Sequence, residues 1–522
     1  MASVFRRKTI EESRADGTAE PGAPGLRRNL SAFDLTVFGV GVVIGTGIFV
    51  LTGVQAHVNA GPGIVISFVL AAIACGFAAL CYAEFAASVP VAGSAYTFSY
   101  ATLGELIAWI IGWDLALEFA LAAAVVARGW SGYFQNLLSL PNSIAGEQAH
   151  FDLFAVIIVV LVTGALVVGT KFSGRITSIL VVVKVAVVLF VIIAGLFYLK
   201  ASNYTPFFPP AVPTSAGSDG GEPVIQAMLG IVPGHFGAWG VIAAASSVFF
   251  AFIGFDIVAT AAEETKDPQR ALPRGIIGTL VICTILYVAV SVVITGMLKY
   301  SDPRMATAAP LAEAFTSVGA EWAARLVSLG GICGITTVVL VLMLGQARVL
   351  FAMSRDGLLP ARLAVVHPRF GTPWITTIIT GAVVAVLAAF VPLGTLSELV
   401  NIGTLFAFVV VSIAVVVLRR THPDLHRPFR VPAVPLIPIL SVLSCGWLML
   451  NLPVDTWVRF GIWLGAGLII YFGYGRQHSR VGRSALAGAV VLGDGGVEPG
   501  AGPVEPTLAD VGQRFAPLPE GE

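Results

Sequence analysis

Gly39-Val-Gly-Val-Val-Ile-Gly-Thr-Gly-Ile-Phe49 lies in the first apolar run of the chain and carries four glycines between positions 39 and 47. In water such a composition reads as a loop. In a bilayer it reads as a helix built to break halfway. Irregular backbone at membrane depth is tolerated only where it is buried in protein or lines a cavity, and in transporters such breaks form the substrate site.

The rest of the chain favours the bilayer. Of its 522 residues 57% are hydrophobic and 11% charged, whereas a soluble domain carries about 25% charged residues. The mean hydropathy is +0.89. The apolar runs are about 20 residues long, enough for a helix to cross a hydrocarbon core, and the short alternating segments of a membrane barrel are not found. The expected class is an all-α integral membrane protein. The net charge is zero, and no basic patch points to nucleic acid. The five cysteines (Cys75, Cys81, Cys283, Cys333, Cys445) fall inside apolar runs, an odd and scattered set that argues against a disulfide framework. A polar N-terminal stretch precedes the first apolar run, the wrong order for a cleavable signal.

Residues 1–30 read as a flexible cytoplasmic arm, and Ser31 with Asp34 is placed to cap the helix that follows. Twelve apolar spans are then expected, at about 33–56, 62–89, 103–130, 152–170, 176–199, 238–262, 275–298, 326–352, 373–391, 395–418, 434–452 and 456–474. They form a transporter domain over 31–475, and the Gly/Pro-rich 476–522 is expected to be a disordered cytoplasmic tail. With the N-terminus inside, twenty-one Lys and Arg fall on the inner side and five on the outer. That bias places both termini in the cytoplasm and the protein in the cell membrane. Outside, 201–237 is a long Pro/Gly-rich loop of open role, and 299–325 contains helical pieces placed to cover the outer mouth.

Span 6 reads Ser247-Val-Phe-Phe-Ala-Phe-Ile-Gly-Phe-Asp256, a second span with a central glycine, five spans after the first. Such a pair points to an inverted repeat with its site at the breaks. The halves are about 33–200 and 238–418, with two extra helices over 434–474. The chemistry follows from the backbone. Beyond Gly45-Thr-Gly47 the second half-helix offers free N–H groups and a positive dipole end, which suit a carboxylate. The carbonyls at Val43 and Ile44, and those at Phe250 and Ala251, suit an ammonium. Glycine lets the ligand approach the backbone. The combination is a site for an α-amino acid. A dinucleotide fingerprint over Gly39–Gly45 would need a βαβ unit, which is lacking. Plain Gly-x-x-x-Gly helix packing does not explain the matching break in span 6.

Charges at membrane depth usually face a cavity or a partner. Lys184 lies in Val181-Val-Val-Lys-Val-Ala-Val-Val188, deep in span 5, where a lysine can gain and lose a proton during a cycle. Asp114 and Glu118 share one face of span 3 by their i, i+4 spacing, which makes Glu118 a candidate for a proton relay. Asp256 can cap the second half of span 6 or join Lys184 in coupling. Glu84 and Arg348, near the inner ends of spans 2 and 8, read as an inner gate or a packing ion pair. No metal-ligand cluster and no catalytic constellation is found, and no cofactor is expected.

Gly41-Val-Val-Ile-Gly-Thr-Gly-Ile-Phe49, Pro90-Val-Ala-Gly-Ser-Ala-Tyr96, Gly104-Glu-Leu106, Phe249–Asp256 through Ala262-Glu-Glu264, Asp267-Pro-Gln-Arg270 and Met353-Ser-Arg-Asp-Gly-Leu-Leu-Pro360 together resemble the amino acid–polyamine–organocation superfamily. They are most similar to bacterial members of the cationic amino acid transporter family, over about residues 30–475. The resemblance implies a leucine-transporter-type five-plus-five inverted repeat with broken helices 1 and 6, and alternating access. It implies carboxylate binding at Thr46 and Gly47, ammonium binding at Ile44 and the span 6 carbonyls, and an aromatic gate at Phe250. Lys184 matches the lysine that takes a sodium ion's place in proton-coupled relatives.

The substrate-binding set is therefore Val43, Ile44, Gly45, Thr46, Gly47, Phe250, Ala251 and Ile253, with Met343 as a selectivity residue. Lys184, Glu118 and Asp256 are the coupling set. The apolar span 8 face favours neutral L-amino acids in symport with a proton. An exchanger or a cationic amino acid importer is the alternative, and a membrane amino acid receptor is the alternative of another class. The partners are the substrate, the proton and membrane lipid, with no obligate protein partner evident. A channel would need a continuous polar pore, and an ATP-driven pump would need a Gly-x-x-x-x-Gly-Lys-[Ser/Thr] loop; neither is present in the sequence.

Overall fold

The structure is a computed structural model that describes residue 6 and residues 30–88, 94–141, 143–146, 149–169, 174–213 and 221–483. Most of the arm, Pro90–Gly93, Lys171 and the tail from 484 onward lie outside the described residues.

The chain is built from helices: α1 (Ala32–Val43), α2 (Ile64–Ser88), α3 (Ser94–Thr102), α4 (Glu105–Leu138), α5 (Leu153–Val168), α6 (Gly174–Leu196), α7 (Gly237–Val248), α8 (Pro268–Met297), α9 (Pro310–Ser317), α10 (Glu321–Arg355), α11 (Trp374–Phe390), α12 (Leu393–Thr421), α13 (Leu436–Leu450) and α14 (Val454–Ile470). Among the described residues, eight helical stretches are long and apolar enough to cross a membrane, and α1, α5, α11 and α13 are shorter apolar helices. Their outward faces are hydrocarbon: Ile179, Val182, Leu189 and Ile193 of α6 are all exposed. An apolar face this continuous is stable against lipid and a liability in water. The protein is a multi-pass membrane protein.

The interior is organised around α4. Its middle is Ala120-Leu-Ala-Ala-Ala-Val-Val-Ala127, all of it buried. Small side chains let neighbouring backbones come close, and α10 and α12 pack against α4. On the other side α8 packs against α1 and α2. Ser31 and Asp34 form a reciprocal capping box at the start of α1, as their spacing predicts. The five cysteines are free.

Two helices are interrupted where the glycines stand. After Val43 the chain leaves the helix at Ile44 (ψ 96°) and resumes as Gly47–Leu51, Thr52–Gln55 and Ala56–Ala60. After α7 a single 3-10 turn, Phe249–Phe252, gives way to an extended Ile253 and to Gly254 at φ +111°. A left-handed φ of this kind favours glycine. The chain resumes as the 3-10 helix Asp256–Glu264.

The connecting segments are more ordered than composition suggests. Within 201–237, Val212–Pro213 pairs with Gly234–His235, and the short helix Val224–Leu229 is tied to the α13–α14 turn through Val224 N–H to Leu452 O and Val454 N–H to Glu222 O. Between α8 and α10, Met305 and Pro310 press against Gly53, and Ala308 against Gly132. The tail boundary also moves: Arg476–His478 is helical, Ser479 and Arg480 hydrogen-bond into the bundle, and the Gly482 amide donates to Ser479 Oγ. Residues 476–483 are therefore part of the packed protein, contrary to their Gly/Pro-rich reading.

Candidate functional site

The two interruptions meet. A Cβ added at Gly47 would run into the backbone of Ala251, and one at Gly254 would lie 2.8 Å from Val42. The glycines of each break thus make room for the other helix. Where they meet is a small cavity of about 20 Å³, lined on its backbone side by Val42, Val43, Gly45, Thr46 and Gly47. That is room for about one water, so any larger ligand must push the walls apart. The opposite wall is apolar: Phe250 and Ile253 from the second break, Ala122 and Val126 from α4, and Val338 and Leu342 from α10.

The backbone wall has the polarity expected of it. Thr46 and Gly47 open the second half-helix, and the first N–H groups of a helix have no intrahelical acceptor. Val43 ends the first half, and its carbonyl is already engaged: the Tyr287 hydroxyl of α8 lies 2.8 Å from Val43 O and 2.8 Å from Ala251 O. One phenolic proton therefore serves both breaks at their carbonyl ends. Sequence reasoning missed Tyr287, which reads as one hydroxyl in an apolar span. The second half of span 1 is held from α4, where the Tyr133 hydroxyl donates to Phe49 O at 2.7 Å.

Of the expected binding residues, Val43, Gly45, Thr46, Gly47, Phe250 and Ile253 line the cavity. Ile44 and Ala251 are buried beside it, and Ala251 is the residue against which Gly47 packs. Met343 is fully buried and is not among the lining residues; its neighbour Leu342 and Val338, one turn earlier, present the α10 face instead. Phe250, the expected gate, sits in the wall with 6% of its surface exposed.

The charged residues separate into two places. Lys184 is fully buried; its ammonium donates a short hydrogen bond to Gly41 O of α1 and a second, at 3.0 Å, to Thr337 Oγ1 of α10. Gly334, one turn before Thr337, lies against the lysine stem. The lysine therefore ties the first half of the broken span 1 to α10. Glu118, on the other side, neighbours Asp114, Asp256 and Thr404. Both carboxyl oxygens of Asp114 and Glu118, and one of Asp256, have no hydrogen-bond partner among the described residues. Asp256 joins this acidic group and not Lys184. Glu84 is bound by Arg419 and by the Val431 amide, with Arg427 at 3.6 Å, so its ion-pair partners come from the end of α12 and the loop beyond it and not from Arg348. Among the described residues no group of three His, Cys, Asp or Glu is arranged to hold a metal.

The sequence is similar to those of known proteins. The family model described as amino acid permease matches residues 30–473. A branched-chain amino acid permease, BcaP, of Bacillus subtilis (strain 168) is 49% identical over 491 residues, which cover 92% of this chain and 99% of that protein. A methylthioribose transporter of the same organism is 47% identical over 495 residues, covering 92% of this chain and all of that protein. Cationic amino acid transporter 4 of Homo sapiens is 31% identical over 613 residues, covering 92% and 91%.

Proposed function

The chain belongs to the amino acid permease family, and on that premise we propose that it imports neutral, branched aliphatic L-amino acids across the cell membrane, each with a proton. The observation that carries this reading is the cavity at the two breaks, with helix-terminal backbone on one wall and only aliphatic and aromatic side chains on the other. Backbone N–H groups at Thr46 and Gly47 take the carboxylate, and carbonyls around Ile44 and Phe250 take the ammonium. Ala122, Val126, Val338 and Leu342 take the side chain. A guanidinium or a second ammonium would meet no acceptor in that wall, and burying an unpaired charge is costly.

The architecture fits a five-plus-five inverted repeat of twelve spans, with α13 and α14 outside it and both termini in the cytoplasm. Alternating access would rock the two halves about this point. Lys184 is the coupling residue: protonated, it grips Gly41 O and Thr337 by charge-assisted hydrogen bonds; neutral, it holds α1 to α10 more weakly. Glu118 and Asp256 form a second station on the far side of the breaks, placed to carry the proton on.

The substrate class is tested by a thermal-shift screen of the purified full-length protein, because a ligand that binds only the folded state stabilises it. Leucine, isoleucine and valine are expected to raise the melting temperature, and arginine and lysine to leave it unchanged. Stabilisation by methylthioribose alone would contradict the amino acid assignment. Two variants refine the test. Tyr287→Phe removes the hydroxyl shared by Val43 O and Ala251 O; a lost hydrogen bond is worth about 1 kcal/mol, so leucine affinity should fall about fivefold in a binding titration. Leu342→Ala widens the apolar wall, and the preference should shift from leucine toward phenylalanine, while Met343→Ala should leave the preference in place.

A further inference from the structure

We propose that Glu105 is a latch by which the two ends of the chain hold the termini side of the transporter shut. Glu105 is the first residue of α4 and is fully buried. Four donors from four parts of the chain converge on its carboxylate. Arg6, from the arm before α1, donates to Oε1 at 3.2 Å, and Tyr471, beyond α14, donates to the same oxygen at 3.0 Å. Tyr100 of α3 reaches Oε2 at 3.0 Å, and Ser479 completes the set on that oxygen. Arg6 also donates to Arg476 O at 3.2 Å, and its own carbonyl accepts from the Glu105 amide at 2.8 Å.

The location makes this more than local packing. The helix held by Tyr100 is α3, a nine-residue helix that packs on Asp256–Glu264, the resumed half of the second broken helix. The other end of α3 is pinned by Tyr96, whose hydroxyl donates at 2.7 Å to Asp356 at the end of α10; the Arg480 amide donates to the Asp356 carbonyl. The arm has a second anchor as well: Leu30 pairs with Thr265, and its carbonyl accepts from the Lys266 amide, immediately after Asp256–Glu264. If the resumed half-helix is to swing away from α3, the contacts among α3, the arm and residues 476–483 must loosen. Among the described residues Arg6 is the one cation paired with Glu105, and a buried carboxylate that loses its cationic partner is strongly destabilised, so Arg6 is the switchable member of the set. Releasing it unlocks the other three.

The proposal rests on the alternating-access reading above, but its test does not use transport. Hydrogen exchange is followed on the full-length protein in lipid nanodiscs, wild type against Arg6→Ala, Glu105→Gln and Gly482→Leu. The last leaves the Glu105 set untouched in composition, but a side chain at Gly482 collides with the Arg6 guanidinium. All three variants are expected to speed exchange about fivefold or more in residues 94–102 and 256–264, and to leave 310–317 at the opposite end unchanged. Unaltered exchange in both segments overturns the latch. Equal acceleration at both ends also overturns it, because it reports general destabilisation.

Discussion

Proteoliposomes carrying the Lys184→Ala variant are expected to equilibrate leucine without concentrating it. With one proton moved per substrate, a gradient of one pH unit is worth about 1.4 kcal/mol and sustains about a tenfold accumulation. The wild type should approach that ratio and the variant should stay near unity. The physical reason is the position of the ammonium, which bonds Gly41 O in the first half of span 1 and Thr337 in α10. Through it a proton can alter the hold of α10 on the broken helix without touching the substrate wall. Lys184→Arg separates charge from titration. A guanidinium stays protonated, so this variant should also fail to accumulate leucine. If either variant concentrates leucine as the wild type does, Lys184 is not the coupling group. Rapid counterflow by the wild type with no response to a pH gradient would favour the exchanger.

The second large effect is expected from one methyl group. Gly47→Ala places a Cβ against the Ala251 backbone, which cannot move aside as a flexible side chain would. Gly254→Ala adds a Cβ 2.8 Å from Val42 and forces alanine into φ +111°. Overpacking costs roughly 1–3 kcal/mol and a strained backbone position a similar amount. Both costs fall on the two elements that must meet around the substrate. Leucine uptake should drop by about a hundredfold or more in each variant while the protein still inserts and purifies. Gly446→Ala, in α13 and with nothing within 4 Å of the added Cβ, is the control and should transport normally.

Much of this was legible in the sequence, for reasons that can be named. The breaks are legible because four glycines crowd positions 39–47 and a central glycine, Gly254, recurs five spans later, a pairing that plain helix packing does not explain. Lys184 stood out because seven apolar neighbours made its charge anomalous. Its partners were invisible, since Gly41 and Thr337 lie 143 and 153 positions away. Met343 was an error of helical phase: one residue turns a helix by about 100°, which is the step from the buried Met343 to the cavity-lining Leu342. Tyr287 was missed because a lone hydroxyl in an apolar span gives no hint of which carbonyl it meets. The terminal segments misled in the other direction. Their polar, Gly/Pro-rich composition reads as solvated, yet Arg6 and Ser479 dock on Glu105, a residue whose place at the start of a helix suggests nothing beyond a favourable dipole contact.

Joint passage of an aliphatic amino acid and a proton is the activity expected of the site at the two helix breaks. It is tested most directly by trapping a pH-sensitive dye inside proteoliposomes of the wild-type protein and adding leucine outside at equal pH. The lumen is expected to acidify as leucine enters, arginine to produce no such signal, and Lys184→Ala to abolish it. Leucine entry with no change in luminal pH would contradict the coupling.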